Sequence, residues 1–310
     1  MTFWVVCHTI KLNKFHFFLI MANEPSIKVI NTKIWVAENE GSFVPPVCNK
    51  LMYGDGQLKI MFVGGPNSRK DFHIEEGEEL FYMVKGNMCL KVKEQGKPKD
   101  IIIKEGEVFL LPCHIPHSPQ RFPNTIGMVI EREREKGEQD CLRYYCEDDT
   151  TTLFEKWFYC ADLGKDLVPI VKSFFESEQY RTGIPIDGTI TDSPPFQLDK
   201  TTELASPFLL QKWVDENKDE IREKGYKVMF QTKQTMIRVY GQGNYATNGD
   251  SETWLWQIEG ITYLSCNIMD KELSKSDVTL IPAGTKFSWK IESDGILMSV
   301  IMDPKRDLIS

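Results

Sequence analysis

At 310 residues the chain is long enough for two domains with substantial cores, or for one large β domain. Its 41% hydrophobic and 26% charged residues are the composition of an ordinary globular protein. A formal net charge of −8 argues against nucleic acid and anionic membrane surfaces as partners, while leaving room for a local basic pocket that takes a small anion.

Residues 1–21, MTFWVVCHTIKLNKFHFFLIM, read as an N-terminal extension. His8, Lys11, Asn13, Lys14 and His16 break their apolar runs, so no membrane-spanning stretch of about 18 residues exists. Phe15 to Met21 resembles a short signal-peptide core, but Ala-Asn-Glu-Pro is a poor cleavage site, and the expectation is a dispensable extension with Met21 as an alternative start. The eight cysteines form no Cys-x2-Cys pair, and their irregular spacing reads as reduced thiols in the cytoplasm.

Ile27, Ile30, Ile34 and Trp35 recur at helical spacing between Ser26 and Asn39, and Gly41 supplies a stop. A Pro-rich lead then places Asn49 and Lys50 just ahead of strand territory. Leu58 to Val63 alternates as a strand that Gly64-Gly65-Pro66-Asn67 turns. Alternation next puts Phe72 and Ile74 on one side of a strand, and Arg69, Asp71 and His73 on the other. Glu76-Gly77-Glu78 reads as a hairpin turn, after which Leu80 to Val84 returns with Glu79 at its start. Further strands are expected at 88–93, 100–103, 107–111 and 126–132, and this spacing of about eight short strands writes a jelly-roll barrel over 22–140.

From 141 to 226 the pattern becomes that of a helical linker. Leu163, Leu167, Ile170, Val171, Phe174 and Phe175 mark an amphipathic helix closed by Gly183, and Ser206-Pro207 reads as the cap and first turn of another that ends before Gly225. Strands return over 227–310 with a weak internal repeat: WLWQIEG (254–260) echoes LFYMVKG (80–86), and SDVTLIPAGTKF (276–287) echoes EGEVFLLPCHIPH (105–117). The fold class expected is therefore mainly β, two jelly-roll barrels joined by a partly helical linker.

Chemistry concentrates in the first barrel, in His73-x-Glu75-x3-Glu79-x6-Gly86 and Gly106-x5-Pro112-x-His114-x2-His117-x3-Arg121. A lone strand histidine is usually a core or surface residue. Here His73, Glu79 and His117 share two linked motifs with fixed Gly and Pro positions, which reads as a 2-His-1-carboxylate metal site with open positions for reactants. His114 takes a turn position, so His117 is the expected ligand. The donor types suit iron(II), and manganese, zinc or nickel as well. The repeat sets Thr247, Thr253 and Phe287 opposite His73, Glu79 and His117, so the second barrel is a degenerate one without a metal site. Single strand-edge arginines are ordinarily solvated, but Arg69 and Arg121 each lie four residues from an expected ligand, which fits a carboxylate-bearing substrate. Glu131, within VIEREREKG, reads either as a solvated strand end or, by alternation from Met128-Val129-Ile130, as an interior proton acceptor.

The segments VCNKLM, GGPNSRKDFHIEEGEELFYMVKGNM, FLLPCHIPHSPQRFPNT, FEKWFYC, SEQYRTG and WLWQIEG make the chain resemble the 3-hydroxyanthranilate 3,4-dioxygenase family over about residues 27–303. These are cupin enzymes of the kynurenine route to quinolinate and NAD, here in the monomeric two-barrel form. The resemblance implies iron(II) on His73, Glu79 and His117, and substrate contacts at Arg69, Arg121, Glu131 and Asn49. It implies extradiol-type cleavage of 3-hydroxyanthranilate by dioxygen to 2-amino-3-carboxymuconate semialdehyde, with Glu131 accepting the proton released on chelation. Cupins usually carry a second histidine where this chain has Glu75, which leaves Glu75 as a neighbour of the ligands or an exposed group. The four-cysteine second iron site of single-barrel bacterial relatives is missing. The rival readings are another cupin dioxygenase, a metal-dependent isomerase, or a non-catalytic cupin that binds a small ligand.

Overall fold

The computed structural model describes residues 27–45, 48–267 and 269–305, and the expected extension over 1–21 lies outside them. The long helix expected between Ser26 and Asn39 is, over the described residues, a strand, β1 (Val29–Asn31), and a short helix, α1 (Thr32–Glu38). Ile27 and Val29 pack against the core of the second barrel, which draws the segment into a sheet before Asn31 caps the helix by accepting from Ile34 N at 3.3 Å.

The first barrel is built from β2 (Asn49–Tyr53), β3 (Leu58–Gly64), β4 (Phe72–Ile74), β5 (Glu79–Lys85), β6 (Met88–Glu94), β7 (Lys97–Ile103), β8 (Glu107–Leu111), β9 (His117–Arg121), β10 (Ile126–Arg132), β11 (Asp140–Tyr145) and β12 (Thr152–Phe158). They form two facing sheets, β8-β5-β10-β3-β2 and β12-β11-β4-β9-β6-β7, with one further edge strand beside β8. β4 and β5 therefore belong to different sheets, and Glu76-Gly77-Glu78 is a crossing between them rather than a hairpin turn. Alternation could not distinguish the two, because both reverse the chain within a few residues. The expected linker likewise begins with strands: β11 pairs with β4 and carries β12, extending the barrel's sheet to Phe158.

After β12 come α2 (Leu163–Phe175) and α3 (Glu178–Thr182), the latter closed by Gly183 in the left-handed region at φ 70°. Ser206-Pro207 does not cap a helix. Phe208 and Leu209 form β13 (Phe208–Leu209), the edge strand beside β8, so α4 (Leu210–Lys224) starts only at Leu210, whose N–H donates to Gly106 O at 3.0 Å. Among the described residues no helix is long and apolar enough to cross a membrane.

The second barrel comprises β14 (Tyr226–Gln231), β15 (Thr235–Tyr240), β16 (Gly243–Thr247), β17 (Thr253–Glu259), β18 (Thr262–Cys266), β19 (Met269–Leu273), β20 (Asp277–Ile281), β21 (Phe287–Ile291) and β22 (Ile296–Met302). Its sheets are β1-β20-β17-β22-β15-β14 and β16-β21-β18-β19. The repeat is a repeat of register. His73 pairs with His117 and Thr247 with Phe287; Glu79 pairs with Leu111 and Thr253 with Ile281. The strands of the β6–β7 hairpin have 7 residues each and those of β18–β19 have 5, which absorbs the length difference between the halves.

Period-2 alternation makes β5 serve two cores. Phe81 and Met83 point into the first barrel, while Leu80, with Tyr82 and Val84 beside it, packs against the second. One continuous apolar layer results, holding Leu58, Ile60, Phe62, Met128 and Ile130 of the first barrel against Trp254, Met298 and Val300 of the second. Tyr82 and Trp256 meet edge to face across it at 5.0 Å.

Candidate metal centre

β4 and β9 touch through the single pair His73 and His117, whose ring centroids are 5.3 Å apart at 72°. Glu79 enters from β5 in the facing sheet, so the three side chains converge between the sheets. Together with Glu75 they form a buried group whose donor atoms all lie within 4.8 Å of one another. His117 Nδ1 lies 3.1 Å from Ile115 O, a donor position that leaves Nε2 to face Glu79 Oε1 at 2.7 Å. His73 Nε2 lies 2.6 Å from Asp140 Oδ2, which leaves Nδ1 for the cluster. Two oriented imidazoles and carboxylate oxygens at this spacing, out of water, fit a divalent transition metal.

The electrostatics point the same way. Four buried carboxyl groups, Glu75, Glu79, Glu131 and Asp140, face two buried guanidiniums, Arg121 and Arg134. When all are ionised the site lacks two positive charges, the charge of a dication. Burial, reinforced by the neighbouring acids, pushes Glu75 well above the usual carboxylate range despite Arg134, and Glu131 up to about 7. Burial also works against ionised Glu79, but His117 outweighs it and holds that carboxyl low.

The cluster opens into a cavity of about 460 Å³ that Asn49, Arg69, Arg121 and Glu131 also line, so the structure brings every expected site residue to one space. Their states differ. Arg121 is 5% exposed; among the described residues no carboxylate lies within ion-pair distance, and its one side-chain hydrogen bond is to Met83 Sδ at 3.9 Å. Burial lowers its guanidinium to about 10. Arg69 is already engaged, donating from Nε to Asp71 Oδ2 at 3.0 Å. Glu131 is buried, which settles the two readings of its strand end in favour of the interior. Glu75 is buried as well. His114 stays outside the cluster, at φ 64° in a turn, with its ring stacked on Phe196 at 4.3 Å.

The model of the family described as 3-hydroxyanthranilic acid dioxygenase matches residues 21–175. The 3-hydroxyanthranilate 3,4-dioxygenase of Nematostella vectensis is 52% identical over 269 residues, covering 87% of this chain and 97% of that protein. The chain belongs to this family. The Homo sapiens 3-hydroxyanthranilate 3,4-dioxygenase is 48% identical over 277 residues, covering 89% and 96%. A salicylate 1,2-dioxygenase from Pseudaminobacter salicylatoxidans superposes with a TM-score of 0.53 at 12% identity over 90% of this chain and 84% of that one, a likeness of fold alone.

Within this member of the 3-hydroxyanthranilic acid dioxygenase family, three residues of the site were not singled out by motif. Arg134 lies 2.7 Å from Glu75 Oε2 and 3.3 Å from Glu131 Oε2, and it donates to both Asp140 oxygens at 3.1 and 2.8 Å. Cys160, its thiol pushed up by burial, lines the cavity from the loop before α2. Arg134 and Asp140 stand in a run of alternating charges that looks solvated. Period 2 from Glu131 gave no signal for them, since both stand at positions of the other parity and beyond the end of β10 at Arg132.

Proposed function

We propose that the chain cleaves 3-hydroxyanthranilate with dioxygen to 2-amino-3-carboxymuconate semialdehyde, on iron(II) held by His73, Glu79 and His117. The observation that carries this reading is Arg121: a buried guanidinium without an acidic partner among the described residues, in the same cavity as the His and Glu cluster. A buried cation of that kind is satisfied by an anion that arrives with the ligand, and a carboxylate matches its two parallel donors. Bound iron(II) supplies a redox-active Lewis acid that templates the aminophenol edge and dioxygen.

The chain's own residues then divide the work. Arg121 fixes the substrate carboxylate, and Gly127 leaves room for the guanidinium, since a Cβ there would collide with Arg121 Nη1 and come within 2.9 Å of Met83 Sδ. Phe81 and Val129 supply apolar walls for the ring. Glu131 takes the phenolic proton on its carboxylate, and Arg134 beside it stabilises the ionised form in which it can do so. Asn49, on the exposed edge strand β2, and Arg69, paired with Asp71, line the same cavity and complete the contacts. The chain covers the outer sheet of its catalytic barrel with its own second barrel, which supports a monomer, and the free thiols of the described cysteines support a cytoplasmic setting.

An oxygen electrode tests the reading. Protein loaded anaerobically with iron(II) should consume one dioxygen per 3-hydroxyanthranilate added, with the ring-opened product appearing in the ultraviolet. No uptake with a fully loaded protein would refute it.

A further inference from the structure

We propose that Arg134 sets the number of protein donors on the metal by holding Glu75 away from it. The proposal rests on the metal centre described above and concerns a residue that does not touch the metal itself. Glu75 belongs to the same group of donors as His73, Glu79 and His117, all within 4.8 Å, so distance alone does not keep it from ligating. A facial set of three donors leaves three of six octahedral positions open. A fourth protein donor would leave two, too few for a substrate that chelates through two atoms together with a further reactant.

Arg134 is placed to prevent this. Its Nη2 lies 2.7 Å from Glu75 Oε2, while the other Glu75 oxygen stays 3.9 Å from His73 Nδ1. The guanidinium cannot swing to follow Glu75 toward a metal, because it is held on its other sides. Nε and Nη2 donate to Asp140, and Nη1 lies 3.3 Å from Glu131. Asp140 is in turn fixed against His73 Nε2 at 2.6 Å. A planar, permanently charged fork engages these three carboxylates in fixed directions, whereas an ammonium is a rotatable point charge. Glu75 is thus a donor in reserve, withheld by a residue on the far side of the site.

The test uses cobalt(II)-loaded full-length protein, titrated anaerobically with 3-hydroxyanthranilate and followed by the visible cobalt spectrum. Arg134→Gln should hold cobalt at least as tightly as the wild type but bind the substrate more weakly, by on the order of tenfold or more, because only the fraction of sites free of Glu75 is competent to take it. Glu75→Gln added to Arg134→Gln should recover most of that loss. Should Arg134→Gln be insoluble, Arg134→Lys with and without Glu75→Gln should give the same pattern. Unchanged substrate affinity on loss of Arg134, or a loss that Glu75→Gln does not relieve, would overturn the proposal and leave Arg134 a structural support of Asp140 and His73. A wild-type protein that binds no cobalt would instead refute the metal centre, and the proposal with it.

Discussion

Arg121 and Glu131 face one cavity yet carry opposite demands, and separate measurements distinguish them. Removing the Arg121 guanidinium strips a charge-assisted hydrogen bond of about 1.5–3 kcal/mol, so Arg121→Ala should raise KM roughly tenfold to hundredfold with iron content unchanged. Glu131→Ala should lower kcat more than it raises KM if, as proposed, its carboxylate takes a proton on the way to the transition state. Burial raises Glu131 to about 7, and the ionised form, the one that accepts a proton, exists only above its own value. A dication in the cluster pulls that value down. The wild-type kcat should therefore show an acid limb at or below about pH 7, falling as pH falls, and Glu131→Ala should lack it. A pH profile of both proteins checks this; an identical acid limb in the variant would assign the limb to another group.

At the level of elements, the site is two strands of one sheet meeting one strand of the other, and β10 shapes the space between them. Gly127→Ala should push the Arg121 guanidinium aside and raise KM while leaving iron content alone, which substrate saturation curves and metal analysis would show together. Much of this was legible in the sequence. Gly86, Gly106 and Pro112 punctuate the strands that carry His73, Glu79 and His117, so the spacing of those residues already defined the convergence. The crossing at Glu76-Gly77-Glu78 was not legible, since sheet membership is set by partners distant in the chain. Nor were Arg134 and Asp140. Their charges resemble a solvated strand end, and only the closure of β11 against β4 places Asp140 on His73.

The two barrels share a core, so the second stabilises the first although it has Thr247, Thr253 and Phe287 where the first has His73, Glu79 and His117. Trp254 is fully buried in the shared layer, and Trp254→Ala should cost about 3–5 kcal/mol. Because the layer belongs to both barrels, unfolding should remain a single transition at a lower midpoint. Polar clasps tie the halves further: Arg132 Nε donates to Gln234 Oε1 at 2.7 Å, Thr232 Oγ1 to Glu78 Oε2 at 2.7 Å, and Gln57 N to Glu252 Oε1 at 2.7 Å. Calorimetry that resolved two independent transitions in the variant, with the first barrel unshifted, would contradict this coupling.

The most direct test of the metal centre is the iron-to-protein ratio after anaerobic loading and desalting, measured on the wild type and on His73→Ala, Glu79→Ala, His117→Ala and His114→Ala. The predicted result is one iron per chain in the wild type and in His114→Ala, and little in the other three. Full iron retention by His117→Ala, with loss in His114→Ala, would contradict the assignment of the centre.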